Sequence, residues 1–439
     1  TPPVKNAVEA LRRDMEKTLG KSGEETGAIR LIAEKETEEE AYRIEVTDEE
    51  IRIYAGSDLG FVYGVFYLSE HYLGVKPFWF WMRQEFTPVD RVTVPEGTIS
   101  SPRPAVRFRG WFFNDEVLFF KWHLNGRHDD TWRMAFEALL RCGGNIAIPG
   151  TDQESRRNKR LASDMGLWIT HHHAEPLGAE MFARAYPDLE ADYLKHPELF
   201  CELWARAVEE QKDMRVVWNL SFRGQGDCPF WDGDRSGRFD TPEKRGRMIE
   251  EVIRKQQEIV SERVENPVFC TNLYGEVMEI YDEGCLSLDP GIIKVRADNG
   301  FGRMVTRRRD NHCERVDSMP DPRDPGPQGI YYHVSFYDLQ AANHITMLPN
   351  SVDFVNRELH EVLAKGGGDF WIVNCSNVKP HVYYLDAVRK IWFGEDVSDE
   401  SHSREFVQDY GDGEEEAVYA YRMYPGATVQ YGPHEDDHA

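Results

Sequence analysis

Apolar runs and helix-period stretches alternate along most of the chain, and the pattern changes near residue 100. Before that point, residues 4–19 place apolar side chains at helical spacing among charges. Three strand-like runs follow, 29–34, 41–46 and 51–55, separated by acidic turns. Ser57, Asp58, Leu59 and Gly60 then offer N-cap chemistry ahead of residues 61–73, which are apolar at helical spacing and closed by Gly74. Residues 77–82 are aromatic-rich and suit either a plug in the core or a platform for a sugar ring. Residues 95–104, rich in Pro, Ser and Gly, read as a linker.

Beyond the linker the spacing predicts strands at 106–113, 145–148, 167–171, 216–221, 268–273, 292–296, 330–335 and 370–373. Helices are predicted between most of them, at 131–141, 155–165, 198–214, 243–264, 352–365 and 382–393. In the fourth of these, Ile249, Val252, Ile253, Ile259 and Val260 mark one face. Eight strand–helix units over about 290 residues fit a (β/α)₈ barrel, typically about 250 residues before insertions. A doubly wound sheet would call for a Gly-rich phosphate turn after an early strand, and none is present. The expected organisation is a small α+β N-terminal domain (1–100), a (β/α)₈ catalytic barrel (101–395) and an acidic C-terminal extension (396–439) that reads as the start of a further module.

Composition narrows the function classes. The 439 residues are 41% hydrophobic and 12% aromatic, ample for a core. Lys plus Arg (52) against Asp plus Glu (77) gives a net charge of −25, with no basic tract to offset it. That field repels nucleic acid and anionic membrane surfaces. No apolar run approaches the ~18 residues of a membrane span. Thr1, Pro2 and Pro3 open no charged and apolar leader, so no signal peptide is visible. The seven cysteines are scattered and never in C-x-x-C spacing, which favours a reducing compartment, the cytoplasm ahead of a secreted or periplasmic location. Cys142, Cys270 and Cys375 sit in apolar runs and read as small buried hydrophobes.

Barrel chemistry is built at the C-terminal ends of the strands, and polar residues collect there. In order they are Asn114-Asp115-Glu116, Thr151-Asp152, His171-His172-His173 with Glu175, Arg223-Gly224, Tyr274-Gly275-Glu276, Asp298-Asn299, Tyr331-Tyr332-His333, and Asn374 with Asn377 and Lys379. Any one of them is as readily a loop residue or a helix cap. Glu276 and Asp298 end neighbouring strands, and Asp115 lies farther round the rim. Paired carboxylates flanking a bond are what glycoside hydrolysis needs, and burial beside a like charge would separate their pKa values. A structural ion pair is the plainer role for each. Arg223, beside Gly224 and Gly226, could hold a substrate carboxylate at two points or neutralise Asp115 or Glu276. On a strand, His171 and His173 would share one face and His172 the other. That H-x-H pair suits a divalent metal, a sugar hydroxyl or a structural bond. Tyr331, His333 and Ser335 would likewise share a face. Arg307, Arg308 and Arg309 read as a solvated or salt-bridged helix face.

The ordered set of segments resembles glycoside hydrolase family 115, the xylan α-1,2-glucuronidases. Residues 60–74 and the Val-Lys-Pro-Phe-Trp-Phe-Trp stretch at 75–81 resemble the domain preceding that family's barrel. Residues 108–116, 171–177, 298–302, 329–333 and 371–374, with Lys379-Pro380, resemble its barrel segments in order and spacing. The resemblance implies removal of (4-O-methyl-)glucuronic acid side chains from xylan or xylo-oligosaccharides, with inversion and without a metal or other cofactor. It points to Glu276 and Asp115 as site carboxylates and to Arg223 as a uronate-binding residue. Asp298, Asn299, His173, Tyr331 and Asn374 fall in the pocket, and Asp298 and His333 complete the candidate catalytic and substrate-binding set. Inversion implies carboxyl groups roughly 6.5–9.5 Å apart. The chain departs from the pattern at Ala297-Asp298-Asn299, where the family tends to show two acids before the Asn, and in length, since members usually carry C-terminal helical and β-sandwich modules. The expected partner is a glucuronic-acid-decorated xylo-oligosaccharide, with no nucleic acid or membrane, and the resemblance leaves room for a homodimer. Two rival functions are a metal-dependent hydrolase using His171 and His173 and a non-catalytic carbohydrate-binding relative, the latter suggested by Ala297.

Overall fold

The structure is a computed structural model that describes residues 1–19, 28–114, 118–119, 121–224, 228–232, 234–305, 317–335, 346–411 and 413–428. An N-terminal unit begins with α1 (Pro2–Leu19), whose Ala7, Ala10 and Leu11 form the buried stripe. Strands β1 (Ala28–Ala33), β2 (Tyr42–Val46) and β3 (Glu50–Ala55) follow. The Ser57 side chain accepts the Gly60 amide to cap α2 (Asp58–Tyr72), whose Gly60 and Gly64 lie against the sheet while Phe66 and Ser69 face Arg141 on the other side. The expected linker carries a strand of its own, β4 (Gly97–Ser100), antiparallel to β2, giving the sheet order β1-β3-β2-β4. A short edge strand needs only one pairing side, which its Gly- and Ser-rich composition permits.

All eight predicted barrel strands are present: β5 (Phe108–Phe112), β6 (Ile146–Ile148), β7 (Trp168–Ile169), β8 (Val217–Asn219), β9 (Val268–Leu273), β10 (Ile293–Ala297), β11 (Gln328–His333) and β12 (Phe370–Asn374). They run parallel in the order β7-β6-β5-β12-β11-β10-β9-β8. A parallel bridge between Ile169 and Val216 joins the two ends into a nearly closed barrel. Around it lie α3 (His128–Arg141), α4 (Asp152–Asp164), α5 (Phe182–Ala185), α6 (Pro197–Gln211), α7 (Pro242–Ser261), α8 (Glu276–Asp282), α9 (Val352–Ala364) and α10 (Val382–Ile391). Two further helices, α11 (Asp399–Tyr410) and α12 (Glu415–Ala427), set Phe406 edge-on and Tyr421 face-on against Tyr383 of α10. Among the described residues no helix is long and apolar enough to cross a membrane.

Strand alternation makes two cores. One fills the lumen with Phe108, Phe112, Ile146, Ile148, Val217, Cys270, Ile293, Val295, Ala297, Tyr331, Phe370 and Ile372. The other lies between strands and helices and includes the fully buried Trp111, Trp132, Trp218, Trp371 and Trp392. Burial pushes the Cys270 thiol up to about 12, which leaves it an inert packing group. Gly110 is fixed by curvature, since a Cβ there would lie 1.6 Å from the Ile146 carbonyl oxygen.

The N-terminal unit is bolted to the barrel by buried charge. Arg13 of α1 donates Nη1 and Nη2 to Glu137 of α3 (2.9 and 2.6 Å), and Arg141 donates Nε to the same carboxylate (2.8 Å). Arg141 also pairs with Asp14, which in turn accepts from Ser69 Oγ of α2 (2.6 Å). Residues 77–82 act as the core plug: Phe78 stacks on Trp111 at 5.8 Å and Trp81 on Phe119 at 5.7 Å. A second clamp forms where Glu40 accepts from Arg109 Nη2 and Asn145 Nδ2, each at 2.6 Å.

Burial resists ionisation of Glu137, but Arg141 and Arg13 outweigh it and hold the carboxyl down at about 2. Its stabilisation is complete above pH 4.5 and drains away as pH falls from there towards 2, because the unfolded chain takes up the proton first. Arg141→Ala leaves Arg13 as the cation shared by Asp14 and Glu137 and is expected to cost about 3 kcal/mol. Guanidinium titrations between pH 2 and 7 read both effects, and a variant within 1 kcal/mol of the parent at pH 7 would disprove the role given to the network.

Candidate active site

The rim at the C-terminal strand ends is lined by rings. His173 stacks on Tyr274 (centroids 4.4 Å apart), and Tyr331 lies 6.1 Å from Tyr274, from His173 and from Phe112. His333 sits 4.6 Å from Tyr331, and His172 packs 5.1 Å from Phe112. Asn374 orients this lining. Its Nδ2 donates to the Tyr331 hydroxyl (2.8 Å), while its Oδ1 accepts from the Ser376 amide (3.0 Å) and Ser335 Oγ (3.2 Å). Beneath the rings Asn272 Nδ2 donates to Asn219 Oδ1, and Asn219 Nδ2 to the His172 carbonyl, each at 3.0 Å.

Glu276 is the first residue of α8 rather than the last of a strand. Gly275 makes that turn at φ 54°, ψ −122°, a conformation that a side chain would obstruct. The turn faces Glu276 towards Arg223, which follows β8. Arg223 Nε and Nη2 donate to the two carboxylate oxygens at 3.1 Å each, a fork-to-fork pair. The guanidinium also lies 5.3 Å above the Tyr274 ring. Arg223 is 6% exposed and Glu276 21%, so the carboxylate keeps the more open side of the pair.

Asp298 has a different place from the one its position beside Glu276 suggests. β10 sends Ile293, Val295 and Ala297 into the lumen core, so alternation turns the Asp298 side chain away from it. Its Oδ2 accepts the amides of Gly302 (2.7 Å) and His333 (2.9 Å). Its Oδ1 accepts the Gly300 amide (3.2 Å) and lies 2.5 Å from His333 Nδ1. A side chain 0% exposed and engaged on both oxygens shapes the loop and aims the His333 ring. Asn299 closes the same loop, its Oδ1 accepting the Phe301 and Arg303 amides at 3.2 Å, while its buried Nδ2 has no hydrogen-bond partner among the described residues.

The histidines also separate. β7 ends at Ile169, so residues 171–173 do not keep strand alternation. His171 turns outward to Gln211 of α6, whose amide nitrogen is already committed to the Leu177 and Ala207 carbonyls. Gln211 Oε1 is therefore the acceptor, and His171 Nε2 donates at 2.8 Å. His172 and His173 have adjacent rings instead, 4.0 Å apart. The H-x-H pair is thus divided between helix layer and rim, and among the described residues no group of three or more His, Cys, Asp or Glu could hold a metal ion.

One connected cluster therefore holds Arg223, Glu276, His173, Tyr331, His333, Asp298 and Asn374, with Asn299 in the adjoining loop. Asp115, Gly226 and Arg307–309 lie outside the described residues. Sequence reasoning placed Tyr274 at a strand end without giving it a role and left out Asn219 and Asn272, although each is the lone amide of its strand. A cleft of about 790 Å³ lies at the opposite end, between the N-terminal unit and the start of β5. The rim cluster brings together a carboxylate, a guanidinium and stacking rings, a set suited to an acidic sugar and to proton transfer.

The model for "Glycosyl hydrolase family 115" matches residues 101–423. No curated protein matches the sequence. Among solved structures, the chain is similar to a family GH115 4-O-methyl-α-glucuronidase, BtGH115A, with specificity for decorated arabinogalactans. The TM-score is 0.77 at 19% identity, covering 97% of this chain and 59% of that one. It also resembles a GH138 enzyme targeting pectin rhamnogalacturonan II (TM-score 0.55, 12% identity, 97% and 54% covered). The chitobiase of Flavobacterium johnsoniae gives 0.56 at 14% identity, with 96% and 69% covered. At these identities the likeness is one of fold, and the chain spans less than two thirds of the first two.

Burial drives the His171 imidazole down to about 4 from its ordinary 6.5, against a weaker upward pull from Gln211. Its stabilisation is full above pH 6.5 and is lost as pH falls towards 4, a swing of about 3 kcal/mol. His171→Gln is expected to flatten the urea-midpoint profile over that interval, and an unchanged slope would show that another group carries it.

Proposed function

The chain belongs to glycosyl hydrolase family 115, and from that membership we propose that it removes (4-O-methyl-)glucuronic acid side chains from xylan-type polysaccharides or oligosaccharides. The observation that carries the proposal is the fork between Arg223 and Glu276 at the rim, set against the Tyr274 ring. A guanidinium there can grip a uronate carboxylate, and the rings of Tyr274, His173 and Tyr331 can stack on the sugar.

In this reading Glu276 and Asp115 divide the acid and base roles of an inverting hydrolysis. One protonates the leaving glycosidic oxygen, and the other draws a proton from the water that attacks the anomeric carbon from the opposite face. Asp298 acts through His333, holding Nδ1 so that the ring presents Nε2. His173, His333, Asn299, Tyr331 and Asn374 supply hydroxyl contacts. A second reading, a carbohydrate-binding relative without turnover, is favoured by the lumen-facing methyl of Ala297, where the strand end offers no carboxylate.

Incubation with glucuronoxylo-oligosaccharides, followed by proton NMR, is expected to show glucuronic acid appearing first as the β-anomer. The α-anomer first would refute inversion, and binding without release would favour the second reading. Glu276→Gln is expected to lower turnover by ~10²-fold or more, and near-parental rates would remove Glu276 from the chemistry.

A further inference from the structure

A carboxyl group that assists departure of a glycosidic oxygen has to bring a proton with it. Glu276 is poorly placed to hold one. Arg223, reaching in from the segment after β8, donates to both of its oxygens at 3.1 Å, and such a grip favours the charged form. Among the described residues the neighbouring titratable groups lie after β9 and on α7 and α8. Tyr274, which follows β9, lies under the guanidinium and carries His173 on its ring. Glu279 shares the first turn of α8. α7, packed against α8, commits its Glu250 to the Ser287 amide (2.6 Å).

A uronate carboxylate seeks the same guanidinium. Once it arrives, one cation serves two carboxylates in a largely buried place, and a second negative charge within about 5 Å makes the first harder to ionise. We propose that the substrate's own carboxylate loads the proton onto Glu276: a uronate bound at Arg223 loosens the Arg223–Glu276 fork and draws one proton from water onto Glu276. The residue thereby becomes a general acid only when the acidic sugar is in place. This rests on reading Arg223 as the uronate grip.

The proton taken up at binding goes to the glycosidic oxygen as the bond from the anomeric carbon to that oxygen breaks, and the bonding electron pair leaves with the oxygen. The attacking water gives its own proton to the second carboxylate, which returns it to solvent when the products depart. A neutral sugar in the same pocket would leave the fork closed and Glu276 unloaded. Selectivity for an acidic sugar then resides in the chemical step as well as in binding.

Isothermal titration calorimetry of the full chain with D-glucuronate at pH 5.5, repeated in buffers of different ionisation enthalpy, counts the protons taken up. The expected result is a net proton uptake that approaches, and does not exceed, one proton per glucuronate bound. Glu276→Gln, checked for folding by its thermal melt, is expected to bind glucuronate with no uptake. Binding without uptake by the parent chain, or equal uptake by the variant, would overturn the proton-loading step and leave the uronate grip standing. Failure of the folded parent chain to bind glucuronate would overturn the grip, and the loading step with it.

Discussion

Eight strands running one way around a ring deliver all their C-terminal ends to one rim, and the parity of each position decides whether a side chain enters the lumen or the shell. The Ile169–Val216 bridge closes the gap between the first and last strands of the sheet order. Parity explains why two adjacent residues at the end of β10 differ so much. Ala297 belongs to the lumen layer with Val295 and Tyr331, whereas Asp298 is turned into a nest of amides and bound to His333. Glu276 escapes the rule because Gly275 breaks the strand first and starts a helix.

Charge is handled by a second device that recurs at both ends of the barrel. The chain carries −25 overall, so an acidic sugar meets an unfavourable long-range field. At the rim, Arg223 and Glu276 bring opposite charges together in a fork. At the other end, Arg13 and Arg141 neutralise Asp14 and Glu137 inside the protein. Guanidinium serves both places because its fixed fork matches a carboxylate at two points.

Legibility in the sequence followed the strength of the local signal. Helix α9 was readable because Val352, Val355, Leu359 and Val362 repeat on one face, and β9 because its apolar run is long and cleanly bounded. β4 was hidden, since Gly97, Thr98 and Ser100 carry turn-like composition and the strand exists only by pairing with β2. α8 was hidden because its capping residue, Gly275, looks like the end of a strand when read alone. Within the site, residue identity at the strand ends was visible, but direction was not. His171 and Asp298 both lie at those ends, yet the bonds that aim them reach Gln211 and His333, 40 and 35 residues away along the chain.

The ionic seam between α1, α2 and α3 makes the two units a single inheritance. A barrel severed from its N-terminal partner would have to rehydrate Glu137 and Arg141 on α3, leave Arg109 without Glu40, and uncover Trp111 where Phe78 had covered it. Grafting a foreign N-terminal unit would demand matching counter-charges at the same heights along three helices. Such a seam resists recombination far more than a greasy contact would, because apolar surfaces tolerate sliding and paired charges do not.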